Sequence, residues 1–352
     1  MGISIGLSVR GGLQSARFVP IFAGFEPALE PFGLEPGMFA YSLRQVISTE
    51  NTVVSSEGEP LCMRVRRDND NTEQDIGFND EGLDTAALEE FCEGGASAYV
   101  KIWYNQVANA FGTDTKHFAA ASNTQQPPIV ENGSVLTDPV TGLPRIRFSG
   151  ERYLQYTDTE GNYADSSSWL AETLGSFATD YSVFFVGQSY RVTGNSYILQ
   201  SSNDNVALFD DSVSYVIDNN ATSVNLSNDG FTNLYVWEIG RDASNKLGLY
   251  KNNTDLISYW DPAVAGTFGI QDLGGTGVSA RSFNGDVFEF FGYPSSQSQR
   301  TDVFANLDEY YTITDYAHTP TTYATPFAAR VAADSGSVES TSCLITDLTP
   351  LV

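Results

Sequence analysis

The sequence predicts an all-β sandwich with two short helices, and three observations predict it. Aromatic residues are frequent, with 22 Phe and 18 Tyr, and flat side chains pack well on a pleated surface. Short apolar segments recur along most of the chain, separated by turns of Asn, Asp, Gly and Ser, the pattern of many short strands in a sandwich. Apolar residues make up 41% of the 352 residues, enough for a substantial core in one large β domain.

Taken in order, residues 1–36 differ from the rest. Ile3, Ile5, Leu7 and Val9 alternate with Gly and Ser as in a short strand, which Gly11-Gly12 ends. Pro20, Pro27, Pro31 and Pro36 then disfavour helix and ladder interiors. The segment reads either as an extended arm for anchoring or assembly, or as an edge strand and loop of the same domain. From Tyr41 the expected strands are Met63–Arg66, Tyr99–Tyr104, Arg145–Phe148, Tyr181–Gly187, Tyr197–Gln200, Asn205–Phe209, Ser214–Ile217, Leu234–Gly240, Lys246–Lys251 and Gly285–Phe291. A first helix is expected over Thr85–Phe91, capped by Asp84 and ended before Gly94-Gly95. A second is expected from a cap at Ser295 or Ser296 to about Tyr311, with Val303, Leu307 and Tyr310 on one face. The sandwich domain is expected over 37–325, and 326–352 reads as a tail or a last strand.

Charge and residue types exclude several functions. Eighteen Lys and Arg stand against 44 Asp and Glu, a formal charge of −26. That sign repels phosphate backbones and anionic membranes, so neither nucleic acid nor membrane insertion is expected. Three cysteines, Cys62, Cys92 and Cys343, match no metal spacing. Cys62 and Cys92 lie among apolar residues and read as core thiols. His117 and His318, the only histidines, give little material for zinc sites or Ser-His-Asp triads. No cofactor is expected. Asp68-Asn69-Asp70-Asn71 fails the EF-hand pattern, because Glu73 and Asn79 stand where Gly and Glu are needed, which leaves calcium a minor alternative. The N-terminus lacks a basic stretch followed by a long apolar run, so no secretory signal is expected.

Three blocks carry a family resemblance. The first is Ala40-Tyr41-Ser42-Leu43-Arg44 with the run Met63 to Phe78. The second is Gly82 to Cys92 leading into Val100-Lys101-Ile102-Trp103-Tyr104-Asn105-Gln106. The third is Phe283-Asn284-Gly285-Asp286-Val287-Phe288-Glu289-Phe290-Phe291-Gly292-Tyr293-Pro294. Together, over about residues 37–315, they resemble the catalytic jelly roll of the arabinofuranosidase B family, in the form found in bacteriophage virion structural proteins. The resemblance implies a concanavalin A-like (laminin G/lectin-like) jelly-roll sandwich. Within the first block, Arg64 and Arg66 are expected on one strand face and Arg67 on the other. Their pairing with the acidic run Asp68, Asp70, Glu73 and Asp75 is read as scaffold, holding a long crossing loop. Trp103 and Tyr104 are read as core.

The same resemblance tests for catalysis. A retaining glycosidase needs two carboxyl groups about 5 Å apart. The family's acid follows a Gly-Gly turn, and here Leu273-Gly274-Gly275-Thr276 places Thr276 there, with Asp272 before the turn. The family's Tyr-Asp-Gln-Ser-Gly becomes Tyr104-Asn105-Gln106-Val107-Ala108. Neither Thr nor Asn can replace a proton-transferring carboxylate, so no enzyme activity is expected. The resemblance instead implies a virion structural protein on the particle surface: a capsid decoration, head fibre or tail component, made in the host cytoplasm. Its expected partners are other virion proteins, met through the arm at Ile3, Ile5, Leu7 and Val9, and further copies of itself in a homo-oligomer. A lectin-like role toward cell-surface glycans is expected alongside, with Trp169, Tyr190, Trp260 and Tyr323 as candidate sugar contacts. A glycoside hydrolase with displaced carboxylates is the alternative.

Overall fold

The computed structural model describes residues 29, 38–47, 53–79, 82–107, 117–149, 152–157, 174–177, 180–190, 196–200, 207–211, 214–219, 222–227, 234–244, 247–252, 254–260, 268–270, 272–275, 283–293, 295, 299–313, 321–322 and 343–344. Most of these form two large antiparallel sheets and two helices, while Leu174–Phe177 pairs antiparallel with Phe268–Ile270 and Thr321–Thr322 pairs parallel with Cys343–Leu344. The smaller sheet runs Phe39–Ser42, Gly285–Tyr293, Tyr181–Ser189, Tyr235–Arg241, Leu247–Lys251, Thr254–Trp260, with Ile146–Phe148 also on Gly285–Tyr293. The larger runs Thr222–Ser227, Ser214–Asn219, Ala207–Asp211, Ser196–Gln200, Asp272–Leu273, Leu154–Thr157, His117–Ala119, Ala98–Trp103, Leu61–Arg67, Glu73–Asn79, Gly82–Leu83. Pro128–Glu131 and Ser134–Val135 extend it from Ala98–Trp103. The ten strands expected from Met63 onward are present, lengthened or trimmed by one or two residues, and the strand-like segment Ile3–Val9 lies outside the described residues.

The core lies between the sheets. Tyr41 and Phe290 of the smaller sheet meet Phe118 and Trp103 of the larger, with Tyr41 4.8 Å from Phe118 and 5.9 Å from Trp103, ring centre to ring centre. Edge-to-face and tilted aromatic contacts of this kind stabilise beyond the area they bury. Cys62 and Cys92 are free thiols in this core, and burial pushes both above the ordinary thiol range.

The strands Tyr181–Ser189 and Gly285–Tyr293 are buried at every position. Val183, Phe185, Val287 and Phe290 face the larger sheet. Phe184, Val186, Phe288, Phe291 and Tyr293 face the other way, into a second apolar cluster beneath helix α2, Arg300–Tyr311. There Phe304 meets Phe184 at 5.8 Å and Tyr311 meets Phe288 at 5.8 Å. A strand apolar on both faces needs cover on both, and α2 supplies it. The helix begins later than expected. Gln299, not Ser295 or Ser296, is the N-cap, and its side chain makes no capping bond. Its buried stripe is Val303, Phe304, Leu307 and Tyr311, with Tyr310 packed at its side. Helix α1, Thr85–Phe91, starts as expected: the Asp84 carboxylate accepts from the Ala87 N–H at 3.0 Å.

Polar groups knit the motif blocks together. Asn105 Oδ1 accepts from the Ala40 and Val107 N–H groups, and Gln106 Nε2 donates to the Ser42 and Arg44 carbonyls. Arg44 and Glu289 form an ion pair at 2.8 Å, extended by Ser42, Tyr311 and Asn306.

Candidate functional site

Alternation along the strands decides which residues the larger sheet turns away from the core. Ile76, Met63, Trp103, Phe118, Leu154, Leu273 and Leu199 point inward. Their neighbours therefore form a row on the outer face. In cross-strand register it reads Asp75, Arg64, Ile102, Ala119, Gln155 and Asp272. The smaller sheet's outer face lies partly under α2. The larger sheet's outer face carries hydrogen-bonding side chains instead.

One end of the row is a half-exposed ion network. Arg64 donates Nε and Nη2 to the two oxygens of Asp75, both at 2.8 Å. Tyr104 donates its hydroxyl to Asp75 Oδ1 at 2.6 Å. Burial opposes the Asp75 charge, yet the bonds from Arg64 and Tyr104 hold its carboxyl below the usual range. Lys101 bonds Glu73 at 2.6 Å. The Tyr104 ring meets His117 edge-on at 4.9 Å. His117 Nδ1 accepts from the Asn105 N–H at 3.2 Å. Burial, with the nearby Arg64 charge, lowers its pKa to about 4, so the imidazole is neutral at pH 7.

The other end is a buried carboxyl. Asp272 Oδ1 accepts from Gln155 Nε2 at 3.1 Å. Burial pushes the acid up to about 7, against the pull of that bond. The turn after it needs glycine. Gly274 has φ +91°, and a Cβ there would meet the Phe148 ring at 2.1 Å.

The acidic run after Arg67 is a tight hairpin turn, not a long crossing loop, because Leu61–Arg67 pairs directly with Glu73–Asn79. Arg67 grips Asp70 with two bonds at 3.1 and 2.7 Å and lies over Phe91. Asp68 accepts from the Ser97 N–H. Arg66 pairs with the amides of Gln126 and Asn71 rather than with a carboxylate. Among the described residues no group of three or more His, Cys, Asp or Glu is placed to hold a metal ion, and no helix is long and apolar enough to cross a membrane.

Of the candidate sugar contacts, Trp169 and Tyr323 lie outside the described residues, as do Ile3, Ile5, Leu7 and Val9. Trp260 is the last residue of the strand Thr254–Trp260. Tyr190 is half-buried, and its hydroxyl bonds Arg145, Gln188 and Asp286. Asp286 sits in register with Arg147, between the inward-facing Ile146 and Phe148. The Tyr190 cluster thus lies on the outer side of the smaller sheet, away from the polar row. Sequence reading singled out Asp272 but missed Gln155, Tyr104 and His117 as its companions on one face.

No family model and no curated protein matches the chain. Solved structures do match its fold. A GH54 α-L-arabinofuranosidase soaked with a cyclic sulfate inhibitor aligns with 80% of this chain and 64% of its own, at 13% identity and a TM-score of 0.56. An arabinofuranosidase complexed with arabinofuranosyl-α-1,2-xylobiose aligns over the same shares at 12% identity and a TM-score of 0.54. The chain therefore spans 64% of these enzymes' length, and what it shares with them is the jelly-roll β-sandwich fold.

Proposed function

We propose that the chain is a glycan-binding sandwich displayed on a virion surface, and that the outer face of its larger sheet holds the sugar. The observation that carries the reading is the contrast between the outer faces. Helix α2 seals an apolar area of one. The other aligns Asp75, Arg64, Gln155 and Asp272 with Tyr104 and His117 beside them. A sugar offers several hydroxyls, each a donor and an acceptor, and such a row can meet them over several rings. The fold, shared with carbohydrate-active enzymes, supports the same reading. Display on a particle rests on the sequence resemblance to bacteriophage structural proteins. Many copies would convert weak sugar contacts into avidity. A glycan panel read with the full chain tests the sugar, and absence of any ligand rejects it. Co-sedimentation with purified particles, beside a chain lacking residues 1–36, tests display. Binding that needs residues 1–36 supports the arm, and no binding by either chain rejects display.

One observation favours a second reading, hydrolysis. Asp272 is a buried acid poised near pH 7, the range in which a general acid works. Asp75 is not its partner: five strand steps separate them, about 24 Å at the usual spacing, against the roughly 5–10 Å of glycosidase pairs. Turnover of 4-nitrophenyl α-L-arabinofuranoside that disappears in Asp272→Asn would establish this reading, and no turnover ends it.

A further inference from the structure

Along the outer face from Arg64, Tyr99 stands directly opposite Arg66 in register. Two guanidinium groups lie over its ring, that of Arg66 at 5.5 Å and that of Arg152 at 4.9 Å from the centroid. A single residue positions both. Gln126, 1% exposed, accepts from Arg66 Nε through its side-chain oxygen at 2.7 Å and from Arg152 Nη1 through its main-chain carbonyl. Asn71 Oδ1 takes Arg66 Nη1 at 2.9 Å. Every one of these acceptors is neutral.

That sets the pair apart from its neighbours. Arg64 has Asp75, Arg67 has Asp70, and Lys101 has Glu73. Glu73 is also the cross-strand neighbour of Arg66, but its carboxylate bonds Lys101 at 2.6 Å. Among the described residues neither Arg66 nor Arg152 has a carboxylate partner. Arg66 Nη2 and Arg152 Nε and Nη2 keep donors for another acceptor. In a chain of charge −26, two adjacent guanidiniums left without carboxylates stand ready for an anion brought by a ligand. Planar, fixed guanidinium groups suit carboxylate and sulfate oxygens better than isolated hydroxyls.

We propose that the Arg66–Tyr99–Arg152 cluster is a subsite for the anionic group of an acidic polysaccharide, a uronate carboxylate or a sulfate ester, with both guanidiniums set against the ring of Tyr99 and fixed by Gln126. The proposal rests on the glycan-binding reading and narrows its ligand class. The protein's own negative field makes unspecific adsorption to a polyanion unfavourable, so a measurable affinity for one reports a local site.

The test is titration of the full chain with polygalacturonate, its methyl-esterified form, a sulfated galactan and the matching neutral galactan. The expected result is binding to an anionic form about tenfold or more tighter than to its neutral counterpart, a difference of about 1.4 kcal/mol, which weakens as salt rises. A preference for polygalacturonate over its methyl ester identifies carboxylate, and one for the sulfated over the neutral galactan identifies sulfate. Arg152→Gln is expected to erase the preference while leaving the far-ultraviolet circular dichroism spectrum unchanged. Arg66→Gln should do the same; if it does not fold, Arg152→Gln and the matched ligand pairs still decide. Equal binding of charged and neutral forms, or an Arg152→Gln chain that keeps the preference, overturns the anionic subsite and leaves the glycan reading standing. Absence of binding to all four overturns the anionic subsite, and the glycan panel then decides the wider reading.

Discussion

Gln155 Nε2 donates to Asp272 Oδ1 at 3.1 Å, across two neighbouring short strands of the larger sheet. That bond supports a carboxyl raised to about 7 by burial. The Asp272 acid keeps its proton in the folded chain while the unfolded chain loses it near pH 4. Stability from this group is therefore full at low pH and falls between about 4 and 7. His117 works oppositely. Its folded pKa of about 4 lies below the ordinary value of 6.5, so its contribution is lost as pH falls through that window. Glu238, raised to about 7 by burial, falls with Asp272. Urea unfolding at pH 4.5, 6 and 8 should show Asp272→Asn gaining on the parent chain as pH rises, by an amount on the order of a few kcal/mol. A His117→Gln chain should gain on the parent as pH falls. Parallel pH curves for parent and variants would refute both assignments.

Arg44 and Glu289 are buried, with side chains 5% and 0% exposed. Glu289→Gln leaves the Arg44 guanidinium buried without its charge partner, and should cost about 3–5 kcal/mol. The pair Arg64–Asp75 is about a third exposed on each side. Its coupling in a double-mutant cycle should be about 0–1 kcal/mol. Similar values for the two pairs would contradict the burial difference.

Gly274→Ala adds a methyl group that would overlap the Phe148 ring at a φ of +91°. The expected loss is about 1–3 kcal/mol or more. Gly94 also has positive φ but has nothing within 4 Å of such a methyl, so Gly94→Ala should lose less. Thermal unfolding of the two variants side by side reads the difference.

Cys62 and Cys92 are buried free thiols held in their protonated form. In the native chain both should resist alkylation by iodoacetamide, and both should react after denaturation. Peptide mapping of the labelled chain distinguishes them from Cys343.

The fold was legible in the sequence because strands such as Tyr181–Ser189 and Gly285–Tyr293 are long apolar runs bounded by turn residues. Glu73–Asn79 was not, because its outward positions are charged and its sequence resembles a polar loop. The start of α2 was misplaced because Ser295 and Ser296 look like caps, whereas its boundary is fixed by Val303 and Phe304 docking on the sheet. The polar row was hidden for a different reason. Arg64 and Asp75 share one hairpin, but Gln155 and Asp272 are far from them and from each other in the chain, and only cross-strand register brings all four onto one face. A one-residue slip would turn each of them into the core. Asp272 could be picked out beside a Gly-Gly turn, but its partner Gln155 carries no local signal.

The most direct measurement is calorimetric titration of the full chain with the tightest ligand from the glycan panel, beside Gln155→Ala, Arg64→Ala and, on the exposed side of α2, Asp302→Asn. Loss of about tenfold in affinity for the first two, or about 1.4 kcal/mol each, with Asp302→Asn unchanged, places the sugar on the outer face of the larger sheet. Unchanged affinity in Gln155→Ala and Arg64→Ala would contradict that placement.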